Sequence, residues 1–263
     1  MPSCKLAASN IGWAAEDDKQ VYALMQSLGY TGLEIAPTRV FPMQPYDGLA
    51  AAAAFAQTLQ KEYGLCIPSM QSIWYGQAGS IFDPAEANAL AAYTEKAFGF
   101  AAACGCKSLV FGCPRNRAVP EGRAPEEAEP FFARLADAAE KQGVRLALEA
   151  NPPIYNTNYL NTTPEAFALA KKLARPGLAV NLDLGTVIHN SEEIEAFAQD
   201  LPLVSHIHIS EPGLVPIQPL PLHRQLARLL KKHGYTGFVS VEMGRADFET
   251  VRRTLEYVAE IFQ

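Results

Sequence analysis

Two periodicities alternate along the whole chain. Short apolar runs bounded by Gly or Pro recur, and each leads into a longer Ala- and Leu-rich stretch with charges at helical spacing. The first pattern predicts buried strands and the second amphipathic helices. Strands are expected at Lys5–Ser9, Gly32–Ala36, Leu65–Met70, Ser108–Gly112, Val144–Glu149, Leu178–Asp183, Val204–Ser210 and Phe238–Met243. Helices are expected at Asp17–Leu28, Leu49–Tyr63, Pro84–Cys104, Glu126–Gln142, Thr163–Ala174, Ser191–Gln199, Leu222–His233 and Asp247–Ile261. Asp83-Pro84 and Thr163-Pro164 read as an N-cap followed by proline at the first helical position. Gly29, Gly64, Gly105, Gly143, Gly177 and Gly234 fall between a helix and the next strand, where a left-handed C-cap is wanted.

Strands alternating with helices imply a parallel sheet with helices packed on it. Eight such units in 263 residues fit a closed (β/α)8 barrel better than an open sheet. No Pro- or Ser-rich linker and no charge block divides the chain, so residues 1–263 are expected to form one α/β TIM-barrel domain.

Chemistry in such a barrel collects at the strand ends. The last four strands finish on Glu149, Asp183, His208 and Glu242. Side chains alternate faces along a strand. If these four point into the mouth, then Leu148, Leu182, Ile207 and Val241 point out at the helices, and all four are apolar as packing requires. One layer below, the inward positions are Ala147, Asn181, His206 and Ser240; the last three could orient the upper residues by hydrogen bonding. Three bare carboxylates and an imidazole in one pocket would repel one another, and one divalent cation removes that penalty. The oxygen-rich set suits Mn²⁺, with Mg²⁺, Co²⁺ or Zn²⁺ as alternatives.

Other residues gain interest from their loops. Glu34 can face the barrel interior, where it would either contact substrate or be locked in a structural hydrogen-bond network. Arg117 in the loop after strand four and Arg245 after strand eight could clamp an anionic substrate group. Trp74, with Tyr75 beside it, could wall a sugar site. His189, His223 and His233 are expected at solvated helix edges. Cys104, Cys106 and Cys113 lack the CxxC spacing and nearby His of a zinc site.

Composition narrows the partners. At 49% hydrophobic and 19% charged residues the chain is globular. A net charge of −6 argues against nucleic acid as main partner. No apolar run approaches a membrane span, and the first residues do not read as a signal peptide. Five thinly spread cysteines suit reduced thiols and a cytoplasmic location. A homo-oligomer remains open.

The segments Gly29–Glu34, Leu148-Glu149-Ala150-Asn151-Pro152, Asn181–Thr186, His206–Glu211 and Gly237–Met243 carry a resemblance. Together they resemble the xylose isomerase-like TIM-barrel superfamily, and within it the sugar phosphate isomerase/epimerase proteins that include ketose 3-epimerases. The resemblance covers nearly the whole chain. It implies that Glu149, Asp183, His208 and Glu242 hold one Mn²⁺ or Co²⁺, and that Glu149 and Glu242 move the substrate proton. Two positions depart from the epimerases: Thr186 replaces a substrate-contacting histidine and Leu214 a substrate-contacting arginine. The superfamily also contains the three-zinc DNA repair enzyme endonuclease IV, whose extra histidines have no counterpart at Glu34 and Gln71.

The expected function is a metal-dependent isomerase or epimerase of a small sugar, sugar phosphate or hydroxy-carbonyl compound, working through an enediolate. A lyase of the inosose dehydratase kind and a non-catalytic sugar-binding barrel are the alternatives.

Overall fold

A computed structural model describes residues 4–263. Its eight strands are β1 (Lys5–Ser9), β2 (Gly32–Glu34), β3 (Ser69–Met70), β4 (Ser108–Phe111), β5 (Arg145–Glu149), β6 (Leu178–Asp183), β7 (Val204–Ile209) and β8 (Phe238–Val241). All pairings are parallel and the order is β2-β1-β8-β7-β6-β5-β4-β3. The remaining seam, between β2 and β3, is joined by two isolated parallel bridges, Gly32 to Cys66 and Ile35 to Met70. The predicted TIM barrel is therefore present and nearly closed. The expected Leu65–Met70 strand shrinks to two residues. Pro68 lies inside that run and has no N–H to give to a ladder.

The helices are α1 (Asp18–Ser27), α2 (Pro37–Val40), α3 (Leu49–Tyr63), α4 (Pro84–Ala103), α5 (Glu129–Lys141), α6 (Thr163–Leu173), α7 (Leu184–Asn190), α8 (Pro221–Lys232) and α9 (Phe248–Phe262). Asp83 caps α4 as expected, accepting from the N–H groups of Ala85 and Glu86. The cap of α6 lies one residue earlier than expected, at Thr162, whose hydroxyl accepts from Glu165 N while the Glu165 carboxylate reaches back.

The largest departure lies between β6 and β7. In place of a helix over Ser191–Gln199, the chain turns into α7 directly after Asp183, and Ile194–Phe197 forms only a 3-10 turn. Asp183 accepts from Thr186 N and so acts as the N-cap, while Ser191 at φ 54° ends the helix. Five of the six glycines expected as C-caps have φ between 66° and 78°. Gly177 does not; Ala174 takes the left-handed turn instead. Gly177 answers a different need, because a Cβ there would sit 1.9 Å from the Ala136 carbonyl oxygen of α5.

The core lies in the ring between strands and helices. Leu148, Leu182, Ile207 and Val241 are buried there, as strand parity requires. Trp74, Phe111 and Phe132 continue it as an edge-to-face aromatic chain with centroids 4.8 and 5.3 Å apart. Among the described residues no helix is long and apolar enough to cross a membrane.

Candidate active site

Adjacent registers bring the strand-end residues together. Asp183 pairs with His208, Glu149 with Asn181, and His208 with Ser240. Glu242 follows β8 directly, and its N–H donates to Ile209 O. Glu149, Asp183, His208 and Glu242 thereby offer ligand atoms that all lie within 4.8 Å of one another. His208 Nδ1 is 3.1 Å from Glu149 Oε1 and 3.0 Å from Glu242 Oε2. The carboxylates are 8–9% exposed and His208 is fully buried.

Polar residues hold each carboxylate in place. Asn181 Nδ2 donates to Glu149 Oε1 at 2.7 Å, and Asn151 Nδ2 to Glu149 Oε2 at 3.0 Å. Gln71 Nε2 donates to Glu242 Oε1 at 2.9 Å and to Ser9 Oγ at 3.0 Å. The Ser210 hydroxyl donates to Asp183 Oδ1, and Thr186 N donates to Asp183 Oδ2 at 2.7 Å. Gly112 gives the Glu149 carboxylate its room: a Cβ there would come within 2.7 Å of Oε2.

Beneath lies a second, fully buried layer. Glu34 Oε2 accepts from Ser69 Oγ at 2.5 Å, His206 Nε2 at 2.5 Å and His208 Nε2 at 3.1 Å. Glu34 is fully buried, so it anchors His208 from below and does not face the cavity. Of the three residues expected to support the ligand set, Asn181 reaches Glu149 directly and His206 reaches Glu34. The Ser240 hydroxyl makes no hydrogen bond among the described residues.

The mouth above the carboxylates is a cavity of about 200 Å³ lined by Ile11, Gln71, Ser72, Val110, Gly112, Cys113, Pro114, Glu149, Asn151, Tyr155, Asp183, Ser210, Glu211, Leu214 and Glu242. Three rim residues, Ser72, Cys113 and Leu214, hold positive φ of 44–55°, a conformation that non-glycine residues seldom adopt. The Tyr155 hydroxyl accepts from Gly213 N at 2.8 Å and ties the loop after β5 to the loop after β7.

Like Glu34, the other three expected substrate contacts lie away from the cavity. Arg117 is fully buried and turned inward. Its guanidinium donates to the carbonyls of Tyr159, Phe111, Gly112, Glu149 and Leu160 and to Asn151 Oδ1, which leaves nothing for a ligand. Trp74 is buried among Phe111 and Phe131, its indole N–H donating to Thr94 Oγ1 at 2.8 Å. Arg245 is exposed and lines none of the cavity. Tyr75 is likewise exposed. His189 and His233 are exposed as expected, but His223 is fully buried, with Nδ1 3.0 Å from Tyr257 Oη.

Sequence reasoning assigned no role to Gln71, Asn151, Ser210 or Tyr155. A signal existed for two of them: Asn151 and Ser210 lie two residues beyond Glu149 and His208 and share their parity.

Electrostatics set the four groups apart. Burial pushes Glu242 up to about 7. Burial and the neighbouring Glu149 raise Asp183. Burial acts the same way on Glu149, but hydrogen bonding and attraction from His208, with Asn151 and Arg117 behind it, leave its carboxyl below the usual range. Burial opposes charge on His208 too; Glu242 and Glu34 outweigh it and hold the imidazole well above its ordinary value. So many carboxylates around one imidazole fit a divalent cation. Ligand atoms that all lie within 4.8 Å of one another are close enough to share one ion at bond lengths of about 2.0–2.4 Å.

A family profile described as "Xylose isomerase-like TIM barrel" matches residues 22–261. A human protein named "Putative hydroxypyruvate isomerase" is 27% identical over 261 residues, covering 89% of this chain and 88% of its own. Among solved structures, 3-keto-D-glucoside 4-epimerase from E. coli superposes with a TM-score of 0.77 at 17% identity, covering 98% of this chain and 99% of its own. D-psicose 3-epimerase superposes with a TM-score of 0.75 at 17% identity over 97% of each chain. An AP endonuclease, family 2, from Brucella melitensis gives 0.75 at 20% identity over the full length of both. At these identities the superpositions speak for the fold.

Proposed function

Since the chain belongs to the xylose isomerase-like TIM-barrel family, we propose that it is a metal-dependent isomerase or epimerase of a small hydroxy-carbonyl compound. One observation carries the reading. Two cavity-lining carboxylates, Glu149 and Glu242, flank a single imidazole nitrogen, and an amide fixes one oxygen of each. Glu149, Asp183, His208 and Glu242 would hold one divalent ion, Mn²⁺ by preference. Bound there, it supplies Lewis-acid polarisation of a carbonyl and its neighbouring hydroxyl, which favours an enediolate.

The chain's own residues do the rest. Glu149, its two oxygens held by Asn151 and Asn181, takes the proton alpha to the carbonyl. Glu242 gives a proton back from the other side of the mouth. Return to the opposite face of the same carbon epimerises; return at the neighbouring carbon, with the hydroxyl proton passing between the two adjacent oxygens, isomerises. His208 is oriented from below by Glu34, and Asp183 by Ser210 and Thr186. The human relative's name and the epimerase superpositions support this reaction class. Neither nucleic acid nor a membrane has a part in it, in keeping with the net charge of −6.

The test separates base from ligand. Glu149→Gln and Glu242→Gln keep the side-chain shape and one ligating oxygen. Each is expected to retain metal while losing about 10²–10⁴-fold in turnover, with loss of solvent deuterium wash-in from at least one variant. Full turnover in either metal-loaded variant removes that carboxylate as an essential base.

A further inference from the structure

We infer that the site is built for an unphosphorylated substrate: among the described residues no Lys, Arg or His lines the mouth to receive a phosphate, and backbone donors of its rim loops already serve the protein's own side chains and carbonyls. The inference rests on the hydroxy-carbonyl reading above and narrows its substrate class.

Charge is the first observation. The carboxylates of Glu149, Asp183, Glu211 and Glu242 all line the cavity, and among the described residues no Lys, Arg or His does. A divalent ion offsets half of that formal charge. Arg117, the one arginine or lysine buried among the described residues, spends its guanidinium on five carbonyls and Asn151. Arg115 and Arg245 are exposed outside the lining. A phosphate carrying about two negative charges would be desolvated beside like charges, and only the metal would compensate it.

Backbone donors are the second, independent observation. Barrels of this kind commonly bind phosphate with the loops after strands seven and eight and a helix N-terminus. Six of those N–H groups are spent here. After β7, Gly213 N donates to Tyr155 Oη at 2.8 Å, Leu214 N to Glu211 O at 2.9 Å, and Gln218 N to the Glu211 carboxylate at 3.2 Å. After β8, Gly244 N donates to Leu214 O at 2.7 Å and Ala246 N to Gly12 O at 3.0 Å. At the start of α9, Thr250 N donates to the Asp247 carboxylate at 2.8 Å. Glu211 and Asp247 thus stand as built-in anions on donors that a substrate phosphate would need.

The experiment uses the full chain loaded with one equivalent of Mn²⁺. Binding is read by thermal shift and calorimetry for two matched pairs, D-erythrulose with its 4-phosphate and D-fructose with its 6-phosphate, and for inorganic phosphate alone. The unphosphorylated member of a pair is expected to bind at least about tenfold more tightly, and inorganic phosphate to give no saturable stabilisation. Glu211→Gln, which removes one charge without touching the proposed ligand set, is expected to narrow the gap severalfold. A phosphorylated ketose that binds as tightly as its partner, saturable binding of inorganic phosphate, or a gap unmoved in Glu211→Gln overturns the inference. Deuterium exchange into the bound ketoses is followed in parallel. Selective binding without exchange leaves the charge selection standing and removes the isomerase reading, so the two fail separately.

Discussion

Gly112 offers a perturbation of the site that alters no functional group. It follows β4, and a Cβ built on it falls 2.7 Å from Glu149 Oε2 and 3.2 Å from Asn151 Oδ1. Ordinary contact begins near 3.4 Å, so in Gly112→Ala the carboxylate must retreat by about 0.7 Å. It cannot do so freely. Asn151 holds Oε2 at 3.0 Å, Asn181 holds Oε1 at 2.7 Å, and Asn151 is pinned in turn by Arg117 Nη2 at 3.0 Å. Overpacking of this kind typically costs about 1–3 kcal/mol, and displacing a reacting group by roughly 1 Å can cost about 100-fold in rate. Gly112→Ala is therefore expected to lower turnover about 10- to 100-fold and to weaken Mn²⁺ binding, while the barrel remains folded. Gly99→Ala is the control: it lies within α4, a Cβ meets nothing within 4 Å, and alanine there should stabilise slightly. Metal affinity is measured by calorimetric titration of chelator-treated protein, and proton chemistry by solvent deuterium wash-in. A Gly112→Ala protein with the parent's metal affinity and turnover would refute the idea that a fixed Glu149 carboxylate is needed.

Three further outcomes are expected. Mn²⁺ added to chelator-treated protein should raise the melting temperature, by the equivalent of about 2.7 kcal/mol at a hundred times its Kd; Asp183→Ala should abolish the rise, and an equal rise in that variant would place the metal elsewhere. Arg117→Met should cost about 3 kcal/mol or more in urea unfolding, because it strands the buried carbonyls that the guanidinium serves; parent-like stability would show that those contacts are dispensable. His223 is fully buried, and burial pushes its pKa down to about 4. The unfolded chain, with a histidine pKa near 6.5, binds that proton first, so this stability is complete above pH 6.5 and drains away as pH falls towards 4, by at most about 3 kcal/mol. His223→Leu should flatten the unfolding free energy across that window relative to the parent; an unchanged slope would contradict it.

The barrel and the convergence of Glu149, Asp183, His208 and Glu242 were legible because both follow from strand periodicity. Parity puts alternate residues on opposite faces whatever the loops do. Loop side chains obey no such rule. Arg117 and a solvated arginine look alike in sequence, and only the carbonyls of Tyr159 and Leu160, more than forty residues away, decide that it turns inward. The misplaced helix before β7 has the same origin. Asp183 was assigned to the mouth, and its second task as cap of α7 was overlooked, although a Thr three residues on supports a cap. Glu34 and Ser69 pair across the barrel seam, a contact invisible to any local pattern.

That seam has a consequence for how the cylinder opens. Seven strand junctions are zipped by ladders, but β2 and β3 meet through two isolated bridges and the short Ser69–Glu34 hydrogen bond. Native-state hydrogen exchange should therefore find the least protected barrel amides at this junction, at Leu33, Cys66 and Gln71, ahead of those between β5 and β7. The bond that helps fasten the junction ends on the carboxylate that steadies His208. Unlatching the barrel wall and loosening the imidazole are then one motion, so ions that grip His208 should also slow exchange at the far side of the wall.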